Sequence, residues 1–279
     1  MNETIVATSL GKTYPSTGRG APPIPVLSNV SLRVADGEMV AIVGPSGSGK
    51  STLLYCLAGL EPVTSGQVQV LGADLQARGR RDSAALRLDS IGFVFQAFNL
   101  IPSLSMRENV ALPARLAKRP VERAAIDAML ADVGLADQAR KLPAQLSGGQ
   151  QQRVAIARVL AAKPSIVFAD EPTGSLDSVT GREVLRLLRE LAVGPGAASV
   201  VLVTHDLDAA AAADRVLVMR DGSIIRELHD ATARDILDAV ESGTGASLAA
   251  GVTPAVSARP AVTRPTAASS PRIGTAAGA

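Results

Sequence analysis

The chain has 279 residues, 47% of them hydrophobic but only 2% aromatic, so a sizeable core is available and must rest on Val, Leu, Ile and Ala. Its 28 Lys and Arg stand against 26 Asp and Glu, without the basic excess that marks a nucleic-acid binder. One cysteine, Cys56, excludes a disulfide within the chain, and two histidines exclude a Cys/His metal cluster, so a cytosolic compartment is expected.

Residues 1–14 show no basic start followed by an apolar run, so no signal peptide is expected. No apolar run approaches the roughly 20 residues of a transmembrane helix, so any work at a membrane needs a binding partner there. Alternation of apolar and polar residues predicts strands over 5–10 and 26–34, joined by a Gly- and Pro-rich loop over 15–25. A short apolar strand over 39–43 ends in a glycine run. The helix after Lys50 carries Leu53, Leu54, Leu57, Ala58 and Leu60 at helical spacing. Strands are predicted over 66–71 and 91–95. From 96 to 145 the pattern turns helical, as an insert of about 97–150 within an α/β domain spanning 1–241. Alternation then resumes: strand 166–169, helix 181–191, strand 199–203, helix 207–213 and a hairpin of 216–219 with 223–227. Strands alternating with helices favour a largely parallel sheet covered on both faces. Residues 242–279 are rich in Ala, Ser, Thr, Gly and Pro, with Arg259, Arg264 and Arg272 and no acid. That composition predicts a disordered tail.

Gly44-Pro45-Ser46-Gly47-Ser48-Gly49-Lys50-Ser51-Thr52 fits the phosphate-loop pattern, between a predicted strand and a predicted helix. Its glycines let successive backbone N–H groups point inward at phosphate oxygens, and the helix N-terminus adds partial positive charge. Lys50 suits the β- and γ-phosphates and the Ser51 hydroxyl suits the Mg²⁺ shell. Asp170 and Glu171 close the strand over 166–169, where a carboxylate of a parallel sheet faces the ligand crevice. Asp170 suits a Mg²⁺ ligand, and Glu171 is free to polarise a water for attack on the γ-phosphate.

Leu146-Ser147-Gly148-Gly149-Gln150, continued by Gln151-Gln152-Arg153, resembles the signature of the ABC family. Ser147, Gly148, Gly149 and Gln150 would form a second anion-binding helix start. In that family the signature of one subunit caps the γ-phosphate of ATP held by another, so the resemblance implies a dimer around two ATP, here expected as a homodimer. It further implies that Tyr14 stacks on adenine, that Gln96 contacts Mg²⁺ or the lytic water, and that His205 is a switch near the γ-phosphate. Gly174-Ser175-Leu176-Asp177 resembles the loop that crosses between subunits, with Asp177 as its acid; Ser175 departs from the usual Asn or Ala. The implied fold is a P-loop ABC ATPase: a mostly parallel α/β core sheet, an antiparallel β subdomain and a helical subdomain.

A narrower likeness lies in Phe93-Val94-Phe95-Gln96-Ala97-Phe98-Asn99-Leu100-Ile101-Pro102, in Glu108-Asn109-Val110-Ala111-Leu112-Pro113 and in Ala169-Asp170-Glu171-Pro172-Thr173-Gly174. These are similar to the macrolide-export and lipoprotein-release branch. The implied activity is ATP hydrolysis that drives a separate integral membrane permease for export or extraction. The implied place is the cytoplasmic face of the inner membrane, held peripherally, with ATP and Mg²⁺ as cofactors and no nucleic-acid partner. The alternative is a cell-division ATPase that signals through a membrane partner to a cell-wall hydrolase.

Overall fold

The computed structural model describes residues 2–242, apart from 17, 19, 20, 120, 175 and 195. Two long strands open it, β1 (Glu3–Tyr14) and β2 (Ile24–Ala35), and a short one, β3 (Met39–Val43), leads into helix α1 (Lys50–Leu57). Strands β4 (Ser65–Val70) and β5 (Ala73–Asp74) precede α2 (Arg80–Ser90), which runs directly into β6 (Ile91–Phe95). The helical region holds α3 (Met106–Leu116), α4 (Arg123–Asp132), 3₁₀ turns at Ala136–Gln138 and Pro143–Gln145, and α5 (Gly148–Ala162). Then follow β7 (Ile166–Asp170), α6 (Ser178–Leu191), β8 (Ser199–Val203) and α7 (Leu207–Ala211), the hairpin β9 (Arg215–Arg220) and β10 (Ser223–His229), and α8 (Ala233–Ser242).

The described strands form two sheets. The smaller is antiparallel, in the order β2-β1-β4-β5; the larger runs β10-β9-β3-β8-β7-β6 and is parallel from β9 to β6. Strands β3 and β8 are wholly buried, which is why they read as unbroken apolar runs. Their pleat divides the core. Met39, Ala41, Val43, Val200 and Leu202 point into a cluster shared with α3, α4, α5 and α6. Val40, Ile42, Val201 and Val203 point the other way, into a cluster shared with β1, β2, β4 and α1. Helix α1 thus lies between the two sheets and carries the end of the phosphate loop with it.

Two polar ties cross this layered core. Arg215 donates to Glu38 Oε1 at 2.7 Å, to Glu227 Oε1 at 3.0 Å and to the Arg33 carbonyl. The Thr4 hydroxyl donates to Ser199 Oγ at 2.8 Å. Both join the large sheet to β1 and β2.

Several elements differ from the sequence reading. Strand β1 extends to Tyr14 because bulges between Ala7 and Lys12 restart an alternation that breaks off at Leu10 in the sequence. Helix α2 buries no residue, so it offers no apolar stripe to read. Helix α6 begins three residues earlier than expected, at Ser178, because Asp177 caps it. Helix α8 is absent from the sequence reading, and it includes Ser242; the remainder of the tail expected over 242–279 lies outside the described residues, as does Ser175.

Candidate functional site

The phosphate loop leaves the buried end of β3 and turns at Gly44, whose φ is 149°. A Cβ there would lie 2.2 Å from the Met219 carbonyl oxygen of β9. At the other end Gly49, with φ 97°, caps α1, and its Cβ would meet the Val26 carbonyl oxygen at 2.9 Å. Both positions therefore need glycine for its conformational range and for close backbone approach. Between them Ser48 is buried, and its hydroxyl has no hydrogen-bond partner among the described residues. Lys50 Nζ donates to the carbonyls of Gly44 at 2.9 Å and Pro45 at 3.0 Å. Burial holds the Lys50 ammonium below its usual pKa, and the nearby Glu171 and Asp170 carboxylates oppose that shift.

The C-terminal ends of four neighbouring strands set the other groups. Phe95, Asp170, Val203 and Ile42 lie in register across β6, β7, β8 and β3. The residues that follow them, Gln96, Glu171, Thr204 and Val43, share one edge of the sheet, where the ligand crevice of an open parallel sheet lies. Asp170 receives two hydroxyls: Ser51 Oγ donates to Oδ1 at 3.0 Å and Tyr55 Oη donates to Oδ2 at 2.7 Å. Burial, followed by the bond to Asp170, pushes the Tyr55 phenol up to about 12. Glu171 has a positive φ of 48° and its N–H donates to Val203 O at 2.9 Å, which turns the chain sharply at the end of β7. Its Oε2 lies 2.8 Å from His205 Nδ1 and accepts from the His205 backbone N–H at 3.3 Å. The Gln96 amide lies against Gly174, where a Cβ would come within 3.2 Å of Gln96 Nε2.

The signature residues stand elsewhere, at the start of α5. Ser147 and Gln150 form a capping box: Ser147 Oγ accepts from Gln150 N at 3.3 Å and Gln150 Oε1 accepts from Ser147 N at 3.0 Å. Gly148 faces the Phe98 ring, and a Cβ at Gly149 would lie 2.8 Å from Thr180 Cγ2. Among the described residues no hydrogen bond or ion pair joins Ser147, Gly148, Gly149 or Gln150 to the phosphate loop. Asp177 Oδ1 accepts from Val179 N at 3.0 Å and Thr180 N at 3.1 Å. Hydrogen bonds from Thr180, then from Val179, hold its carboxyl below the usual carboxylate range. Tyr14 sits at the end of β1 opposite Ile24, with the Lys12 ammonium 4.6 Å from its ring centroid.

Sequence reasoning misses Tyr55 altogether. Its signal is spacing: Ser51 and Tyr55 are four apart on α1, so both hydroxyls lie on one helix face. Arg158 is missed too; its guanidinium donates to the carbonyls of Asn99 at 2.7 Å and Phe98 at 3.2 Å.

This geometry has known counterparts. The family profile described as ABC transporter matches residues 27–174. The uncharacterized ABC transporter ATP-binding protein YbbA of Escherichia coli K12 is 46% identical over 214 residues, which cover 76% of this chain and 93% of that protein. The macrolide export ATP-binding/permease protein MacB of Marinobacter nauticus is 46% identical over 214 residues, covering 76% of this chain and 33% of that protein. The chain thus spans about a third of the length of that relative. Among solved structures, a dimeric post-hydrolysis state of the ATP-binding cassette MJ0796 bound to ADP and Pi matches with a TM-score of 0.75 at 41% identity, covering 81% of this chain and 99% of that one. The phosphate loop, the strand-end carboxylates and these likenesses agree, and the chain belongs to the ABC transporter family as an ATP-hydrolysing cassette.

Proposed function

We propose that this cassette works as a homodimer around two ATP and two Mg²⁺, and drives a separate membrane permease that exports or extracts a substrate. The observation that carries the reading is the paired arrangement at the sheet edge: Asp170 held by Ser51, and Glu171 held by His205, beside a phosphate loop. The residues fit a nucleoside triphosphate. Lys50 spends two of its three donors on loop carbonyls, and the buried Ser48 hydroxyl lacks a partner among the described residues. Ser51, Asp170 and Gln96 would hold Mg²⁺, which supplies charge neutralisation on the β- and γ-phosphates. Glu171 takes the proton of the attacking water, and His205 keeps its carboxylate aimed. Tyr14 offers a ring to adenine. Because Ser147, Gly148, Gly149 and Gln150 have no tie to their own phosphate loop among the described residues, they are available to cap the γ-phosphate held by a second copy, with Asp177 shaping the crossing loop. The dimeric state named for the MJ0796 cassette supports this assembly.

The relative that this chain matches over 93% of its length is named an ATP-binding protein alone, which supports a permease on another chain. A docking surface is at hand after Gln96. Polar pins hold the apolar residues there: the buried Asn109 amide donates to the Ile101 and Leu104 carbonyls at 3.2 and 2.9 Å, while Ile101 stays 38% exposed. Such a surface suits a cytoplasmic helix of the permease. Placement is then at the cytoplasmic face of the inner membrane; no helix among the described residues is long and apolar enough to cross it.

Glu171→Gln tests the hydrolytic reading. The variant should bind ATP, lose turnover by about 10²- to 10⁴-fold, and elute as a dimer on gel filtration with ATP. Turnover like that of the parent chain would remove Glu171 from its role.

A further inference from the structure

The sheet-edge site contains one group that the hydrolytic reading leaves without a task. We infer that Tyr55 is a positioning residue for the divalent cation: its hydroxyl locks the Asp170 carboxylate in the orientation that meets the metal beside Ser51. The inference rests on Ser51 and Asp170 forming the metal side of the nucleotide site.

Asp170 ends β7, while Ser51 and Tyr55 stand one turn apart on α1. The two hydroxyls reach the carboxylate from the same helix face and take one oxygen each, at 3.0 and 2.7 Å. A carboxylate offers only acceptors, so both contacts are donated to it, and together they fix the rotation of its plane. Each oxygen keeps acceptor capacity for a further partner. The Ser51 end is the end that a phosphate-loop metal would approach, because Ser51 stands in the first turn of α1 next to Lys50. At the other end the half-buried Tyr55 packs against the apolar cluster that includes Leu53, Leu54 and Phe168. Tyr55 is therefore anchored by packing and free to act as a rigid post.

The tie also settles a competition. Lys50 feels the charges of both Glu171 and Asp170. A carboxylate released from Tyr55 can turn about its own bond toward that ammonium, which is the group needed for phosphate. With Oδ2 held by Tyr55, Asp170 stays aligned with Ser51 and Lys50 stays free for the nucleotide. Partners that orient a metal ligand without touching the metal commonly set its affinity, and their loss costs about 10- to 100-fold.

Tyr55→Phe removes the hydroxyl and keeps the ring. Mn²⁺ serves as the spectroscopic probe, titrated by electron paramagnetic resonance into the full chain with a non-hydrolysable ATP analogue. The expected result is a loss of Mn²⁺ affinity of about tenfold or more. Affinity for the analogue in EDTA and the melting temperature should barely change. In an Asp170→Asn background, adding Tyr55→Phe should cost no further Mn²⁺ affinity. Unchanged Mn²⁺ affinity in Tyr55→Phe overturns the inference. So does an equal loss of analogue affinity in EDTA, which marks a structural role, or a further loss when Tyr55→Phe is added to Asp170→Asn. Absence of any analogue-dependent Mn²⁺ binding in the parent chain overturns the metal reading of Ser51 and Asp170, and the inference with it.

Discussion

At the residue scale, each acid of the strand-end pair is specified by its own neighbours. Asp170 faces α1 through Ser51 and Tyr55, while the positive φ of Glu171 swings the next carboxylate the other way, to His205. Adjacent residues of the chain thereby reach different partners, which suits one to a metal and the other to a water. Removing the imidazole isolates the second function. In His205→Ala the backbone N–H of residue 205 still reaches Glu171, but the 2.8 Å side-chain contact is gone. ATP affinity should hold while kcat falls by about 10²-fold, as expected when a reacting group is misplaced by about an ångström. Equilibrium binding and steady-state turnover on the same preparation check both halves. A kcat within error of the parent would show that the backbone contact alone positions Glu171.

At the element scale, α5 joins the signature to the loop that follows Gln96. Its first turn packs Gly148 on the Phe98 ring, and Arg158 further along donates to the carbonyls of Phe98 and Asn99. Both loop residues have positive φ, 59° and 49°; Asn99 tolerates this conformation, but for the bulky Phe98 it is costly and needs outside support. Burial holds the Arg158 guanidinium below its usual pKa. Arg158→Met should free the loop. We expect folding stability to drop by about 1–3 kcal/mol, read by urea denaturation, because two carbonyls lose their donor. Stimulation by a cognate permease should be lost while basal turnover stays. A variant that remains fully stimulated would uncouple this loop from permease docking.

The same scale shows what the sequence can carry. The phosphate loop, Asp170, Glu171, Gln96 and His205 are legible because each lies at the end of a short apolar strand, and buried parallel strands such as β3 and β8 have boundaries that apolar runs mark well. Helix α2 is not legible, because nothing along it is buried, and β1 is cut short by its bulges. Lys12 is not legible either, for a different reason. It is buried, paired with Glu61 at 3.0 Å and bonded to the Pro62 carbonyl at 2.7 Å, none of which local pattern reveals. The Tyr55–Asp170 and Arg158–Asn99 bonds span 115 and 59 positions, so they arise from how elements stack rather than from any local spacing.

At the scale of the whole molecule, the separation of the signature from the phosphate loop is the central fact. One chain carries both, on different elements and without a bond between them among the described residues. Under the proposed function a complete site needs two chains, each lending its Ser147 end to the other's Lys50 end. Mixing two inactive variants tests this most directly. Lys50→Ala disables the phosphate loop, and Ser147→Arg blocks the signature. In a mixed dimer, the intact loop of the second variant faces the intact signature of the first, so one composite site is whole. ATP turnover, negligible for each variant alone, should reappear when the two are combined. A mixture that forms mixed dimers yet stays as inactive as its components would contradict the two-chain site.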